Sequence, residues 1–101
     1  MILFVSLGPC AKCKELMHRM GVADPVDLET CELEVWEVPA EGEPASYGQI
    51  GAATEAFYHN VRSLPTLVLN EETNAERLVT DLDEIVGQLT TEAQRARRRH
   101  E

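Results

Sequence analysis

Cys10 and Cys13 stand two residues apart in "SLGPCAKCKEL" (residues 6–16), directly after an apolar run. Two thiols at this spacing can hold a metal ion, close a structural disulfide, or exchange electrons with another molecule's disulfide. A tetrahedral metal site takes about four ligands, usually as two pairs. This chain offers one pair, a distant Cys31, and His18. On a helix His18 lies about 140° round the axis from Cys13, so the two do not converge on one ion, and no metal is expected. A disulfide closing over two intervening residues removes little chain entropy and would stabilise little. Electron exchange suits the position better. A thiol at a helix N-terminus faces unpaired backbone N–H groups and the positive end of the helix dipole, both of which favour thiolate. Lys12 and Lys14 add positive charge close by. Cys10 would then attack a substrate disulfide, and Cys13, one turn on and facing inward, would resolve the mixed disulfide.

Placing that pair requires a strand before it and a helix after it. "ILFVSL" (2–7) is a continuous apolar run of strand length, suited to a central strand covered on both faces. From Cys10 the pattern turns helical: Cys13, Leu16, Met17 and Met20 share one face, and Gly21 is a natural stop. "CELEVWEV" (31–38) reads as a second strand, ended by Pro39, and "PAEGEPASYG" (39–48) as a loop. Ile50, Ala53, Phe57 and Val61 mark one face of a second helix. "TLVLN" (66–70) and "RLVT" (77–80) form a hairpin, and Asp81 caps a last helix with Leu82, Ile85, Val86 and Leu89 on its apolar face. The order β-α-β-α-β-β-α predicts an α/β fold with a four-stranded mixed sheet and helices on both faces. Strands separated by helices are expected to run parallel, with the hairpin adding an antiparallel edge.

The chain has 101 residues and is 44% hydrophobic, enough for one globular domain with a single core. The apolar opening is too short for a secretory signal or a membrane span, and three cysteines, an odd number, fit a reducing compartment. A soluble cytoplasmic monomer is expected. Charge divides the chain into a domain over 1–94 and a basic tail over 95–101. The first holds 17 acidic and 5 basic side chains, the second ("RARRRHE") 4 basic and 1 acidic. A body with a net charge of −12 excludes nucleic acid as the main partner, since phosphate binding needs a basic face. The tail reads as a solvated, frayed terminus that can also dock on the protein's own acidic face.

Two separate motifs, 55 positions apart, make the chain resemble the thioredoxin fold family over nearly its whole length: "GPCAKC" (8–13) and "NVRSLPTLVL" (60–69). The short opening is closer to glutaredoxins and small glutaredoxin-like thioredoxins. The resemblance implies a thioredoxin-like three-layer sandwich, with Cys10 as nucleophile, Cys13 as resolving thiol and Pro65 as the cis-proline beside them. It also implies that an extended substrate segment pairs with the backbone at Leu64, so that Pro9, Leu64, Pro65 and Thr66 form the substrate-binding surface. The chain lacks the family's usual tryptophan before the first cysteine, the buried acid on the first strand, and the glycine pair with which glutaredoxins hold glutathione.

The expected activity is reduction of protein disulfides by dithiol exchange, with no bound cofactor and with a thiol or flavoprotein reductase as electron donor. Two rivals are a reductase driven by glutathione or another small thiol, and a thioredoxin-like adaptor whose thiols are incidental. Simpler roles are expected elsewhere: Cys31 as a free, partly buried thiol, His18 and His59 as surface residues, and Met17 and Met20 as core filling. Trp36 is expected to pack or to lie on strand surface. Phe57 is expected in the core, although Tyr47, Phe57 and Tyr58 could also shape a groove near Pro65.

Overall fold

The opening apolar run forms β1 (Ile2–Ser6), the second of four strands in a sheet ordered β2-β1-β3-β4. The computed structural model describes residues 1–6, 10–38 and 47–99, with side chains described except at 47–50. Ile2, Leu3, Phe4 and Val5 are all buried, which is why the run does not alternate with polar residues. Leu3 and Val5 face one layer, where they meet Cys13 and Leu16 of α1 (Ala11–Met20) and Ile85 and Leu89 of α3 (Leu82–Arg99). Ile2 and Phe4 face the other, where they meet Ala56 of α2 (Tyr47–Tyr58). The described residues thus form a mixed α/β fold with helices on both faces of a four-stranded mixed sheet. No helix of the described residues is long and apolar enough to cross a membrane.

β1 pairs in parallel with β2 (Glu34–Val38), with Phe4 opposite Trp36 and Ser6 opposite Val38. On its other side β1 meets β3 (Thr66–Leu69), and here the expectation fails: the two strands are antiparallel, with Thr66 opposite Phe4. After α2 the chain continues through residues 59–65 to the end of the sheet where β1 finishes. β3 therefore enters from that end and runs back. β4 (Arg77–Val79) closes the hairpin antiparallel to β3. The caps fall where side-chain chemistry puts them. Gly21 takes the left-handed conformation at φ 72°, and its N–H reaches the His18 carbonyl at 3.1 Å. The Asp81 carboxylate accepts the Glu84 N–H at 3.0 Å at the start of α3. A short 3-10 turn, Pro25–Leu28, joins α1 to β2.

α2 presents a different face from the expected one. Ala52, Ala56 and His59 are buried, whereas Phe57 is 85% exposed. Apolar residues lie all round this helix, so periodicity has no single phase. Closeness decides instead, because alanines let the helix axis approach the sheet. Ala53 is partly exposed, Val61 packs from the segment beyond the helix, and the side chains of Tyr47 and Ile50 lie outside the described residues. His59, expected on the surface, is 2% exposed. Its Nδ1 donates to Glu76 Oε1 at 2.8 Å, since a carboxylate can only accept, and its ring stacks edge-on against Tyr58. Phe57 and Tyr58 are therefore surface aromatics.

The charge boundary near residue 94 is not an end of secondary structure, because α3 runs on to Arg99. Arg99 donates to the carboxylate of Glu92 at 2.8 Å, and the Thr30 hydroxyl donates to the same oxygen. Glu92 is itself 1% exposed. Burial alone would raise its carboxyl pKa, but the two donors and the nearby guanidinium groups outweigh that, and it is lowered.

The packing assigns clear costs. Leu16→Ala should destabilise the fold by about 2–5 kcal/mol in chemical denaturation, because Leu16 is wholly buried between α1, α3 and the sheet. Phe57→Ala should change stability by no more than about 0.5 kcal/mol, in line with its exposure. A large loss at Phe57 would restore the helix face that periodicity suggested.

Candidate functional site

β1 ends at Ser6, and the next described residue, Cys10, is the N-cap of α1. Its backbone is extended (φ −150°, ψ 107°), and its carbonyl accepts the Lys14 N–H at 3.0 Å, the first bond of the helix. The cap position matters chemically. The first N–H groups of a helix have no carbonyl partner, so an N-cap side chain normally accepts from them. Here a sulfur does so: the Cys13 N–H points at Cys10 Sγ at 3.3 Å. Cys10 is thus one residue further out than a first-turn position, and its thiol replaces the oxygen that Ser or Asp would supply.

Cys13 lies on the inward face of α1 and is 6% exposed. It packs in the layer with Leu3, Val5 and Leu16, and its Sγ receives the Ser6 N–H at 3.5 Å. Burial, joined by the hydrogen bond and charge of the Cys10 sulfur, pushes the Cys13 thiol from 9.0 up to about 12. The Ser6 N–H works the other way but does not prevail. The two sulfurs therefore differ in surroundings: Cys10 is half-buried at the rim, and Cys13 is held beneath it as a neutral thiol. Both are free thiols here.

The second motif meets the first at this point. The Leu64–Pro65 peptide bond is cis, and the Leu64 carbonyl lies 3.7 Å from Cys10 Sγ as acceptor of its S–H. Pro65 and Thr66 are buried where β3 begins. The Thr66 hydroxyl donates to the Ser63 carbonyl at 2.6 Å, so it braces the turn. The structure brings Cys10, Cys13 and Leu64 together, with Pro65 and Thr66 directly behind. Lys12 and Lys14 sit on the exposed side of the first turns of α1, and neither ammonium makes an ion pair or hydrogen bond among the described residues. Pro9 lies outside the described residues.

Cys31 is not part of this constellation. Strand β2 begins only at Glu34, and residues 30–33 form a turn closed by a bridge between Thr30 and Leu33. Cys31 projects from that turn and is exposed, not partly buried. Glu34 stands opposite Ile2, so the turn is at the other end of the sheet from Ser6. Among the described residues no group of three or more His, Cys, Asp or Glu side chains is placed to hold a metal ion. Ser6 is the participant that residue types do not reveal, because it contributes a backbone N–H. Its only signal is position, at the end of the strand that feeds the thiol pair. No family model, curated protein or solved structure matches this chain.

The asymmetry of the thiols is measurable. In the reduced protein at pH 8, iodoacetamide should label Cys10 and Cys31 and leave Cys13 unmodified until the fold is opened. Labelling of Cys13 at the rate of Cys31 would contradict its burial. Since its folded pKa is raised, Cys13 contributes stability that is present below pH 9 and is lost as pH rises from 9 towards 12. The stability difference between wild type and Cys13→Ala should shrink across that window.

Proposed function

We propose that the protein is a thioredoxin-fold thiol–disulfide oxidoreductase that reduces protein disulfides through Cys10 and Cys13. The observation that carries this reading is the Cys10 sulfur at the cap of α1, accepting the Cys13 N–H at 3.3 Å, with the Leu64 carbonyl 3.7 Å away. The shared sequence pattern of "GPCAKC" and "SLPT" supports the fold family, and a helix on each face of the sheet is compatible with it.

The chemistry follows from the two environments. Cys10, as thiolate, attacks one sulfur of the substrate disulfide. A Cys10–substrate bond forms, the substrate S–S bond breaks, and the other substrate sulfur leaves as thiolate. That thiolate takes up a proton. Cys13 then loses its proton and attacks Cys10 Sγ, which forms the Cys10–Cys13 disulfide and releases the second substrate thiol. Two electrons and two protons pass from the dithiol to the substrate. Burial above all, with the neighbouring Cys10 sulfur adding to it, holds Cys13 protonated, so the first attack falls to Cys10 and Cys13 gives up its proton only as it resolves the mixed disulfide. A thiol or flavoprotein reductase returns two electrons for the next cycle. Lys12 and Lys14 supply positive charge around the attacking sulfur, and the backbone at Leu64, backed by the buried Pro65 and Thr66, offers an edge for an extended substrate segment. The reading needs no bound cofactor and fits a monomer in a reducing compartment such as the cytoplasm.

Insulin-disulfide reduction driven by a thioredoxin reductase, run beside a glutathione-coupled assay, tests this directly. Activity in the first supports the proposal, activity only in the second gives a glutaredoxin-like enzyme, and activity in neither leaves a binding module. Cys10→Ser should abolish activity without loss of stability, and with a gain of up to about 1 kcal/mol, because serine is a good N-cap. Cys13→Ser should accumulate a mixed disulfide between Cys10 and substrate. An active Cys10→Ser protein would refute the assignment.

A further inference from the structure

The distribution of paired and unpaired cations says what kind of substrate the dithiol meets. The chain has twice as many acidic as basic side chains, 18 against 9. Cations in such a chain find carboxylates easily, and three do: Arg19 with Asp83 at 2.7 Å, Arg77 with Glu84 at 2.6 Å, and Arg99 with Glu92 at 2.8 Å. Among the described residues six do not: Arg95, Arg97 and Arg98 near the end of α3, and Lys12, Lys14 and Arg62 around the dithiol. Lys12 and Lys14 lie two and four residues past Cys10, about 3 and 6 Å along the helix axis. Arg62 lies two residues before Leu64, within about 7 Å of it by chain length. All three are exposed, and none has an ion-pair partner among the described residues. The first turn of α1 contains no acidic residue to offset them. Among the described residues, the carboxylates nearest by position are Glu15, further along α1, and Glu37, near the end of β2 beside Val5. At the pole that carries the reactive sulfur, three exposed cations thus stand without ion-pair partners among the described residues, in a chain whose net charge is −9.

Resting on the reductase reading, we propose that this pole docks protein segments that carry acidic residues beside their disulfide. Lys12, Lys14 and Arg62 attract the flanking carboxylates, while the net charge of −9 on the whole chain disfavours unspecific association with the same partner. Local attraction against that background orients the encounter so that the substrate sulfur arrives at Cys10. The carboxylates take no part in the electron transfer, which remains the two-step exchange described above.

The test uses the full chain, reduced in advance and freed of reductant, with two disulfide-bridged peptides of equal length. One carries Asp and Glu beside its cysteines, the other Lys. Each reduction rate is divided by the rate of the same peptide with dithiothreitol, which removes the intrinsic reactivity of the disulfide. At roughly 0.01 M salt, where the Debye length is about 30 Å, the acidic peptide should react about tenfold faster. The ratio should fall towards one at roughly 1 M salt, where that length is about 3 Å. Arg62→Glu alone should lower the ratio, and the triple charge reversal of Lys12, Lys14 and Arg62 to Glu should invert it. Equal normalised rates, a preference that survives high salt, or equal slowing of both peptides in the triple variant would overturn the proposal and leave the reductase reading intact. Reduction of neither peptide would overturn both.

Discussion

One hydrogen bond, from the Cys13 N–H to the Cys10 sulfur, ties the helix to the proposed chemistry. A helix start needs an acceptor, and oxygen of Ser, Thr, Asp or Asn meets that need best. This chain puts a sulfur there instead, a weaker acceptor but a nucleophile. The position then determines the rest. The acceptor must sit where β1 hands over to α1, so β1 must be held firmly, which its burial on both faces accomplishes. The donor belongs to Cys13, whose own sulfur points into the core between α1, α3 and the sheet. Rim and core thiols three residues apart are therefore a consequence of helix geometry applied at one cap.

The two sulfurs are separated by environment more than by distance. Cys13 loses hydration and gains the neighbouring Cys10 sulfur, and both effects hold it neutral. In the proposed exchange this leaves Cys10 as the sulfur that meets the substrate disulfide first and Cys13 as the one that resolves the mixed disulfide. The segment ahead of β3 completes the arrangement from the far side in sequence, bringing the Leu64 carbonyl to the rim thiol. The antiparallel course of β3 makes that possible, since the strand begins at the end of the sheet where β1 stops.

Much of this was legible in the residues, and the failures have physical causes. A buried central strand announces itself as an unbroken apolar run, and the caps at Gly21 and Asp81 follow from conformational freedom and side-chain oxygen placement. The meeting of Cys10 with the "SLPT" segment came from resemblance rather than from spacing, because no local rule brings residues 54 apart together. The face of α2 was lost because a helix apolar on all sides has no preferred phase, so alanine approach and a carboxylate for His59 decided it. The direction of β3 was lost because a helix between two strands suggests a crossover, whereas residues 59–65 carry the chain to the opposite end. Cys31 and Glu92 show the same limit: a tight turn exposed a residue type that is commonly buried, and a distant hydroxyl and guanidinium buried one that is commonly exposed.

The central claim is that Cys10 and Cys13 form a reversible two-electron couple from which Cys31 is excluded. Titration of the protein against a graded thiol–disulfide buffer, with peptide mass mapping at each point, measures this directly. The account predicts one transition in which the chain loses two hydrogens, a disulfide mapped to Cys10–Cys13, Cys31 still free, and full recovery on reduction. Disulfides mapped to Cys31, or covalent dimers appearing before any intramolecular bond, would contradict it.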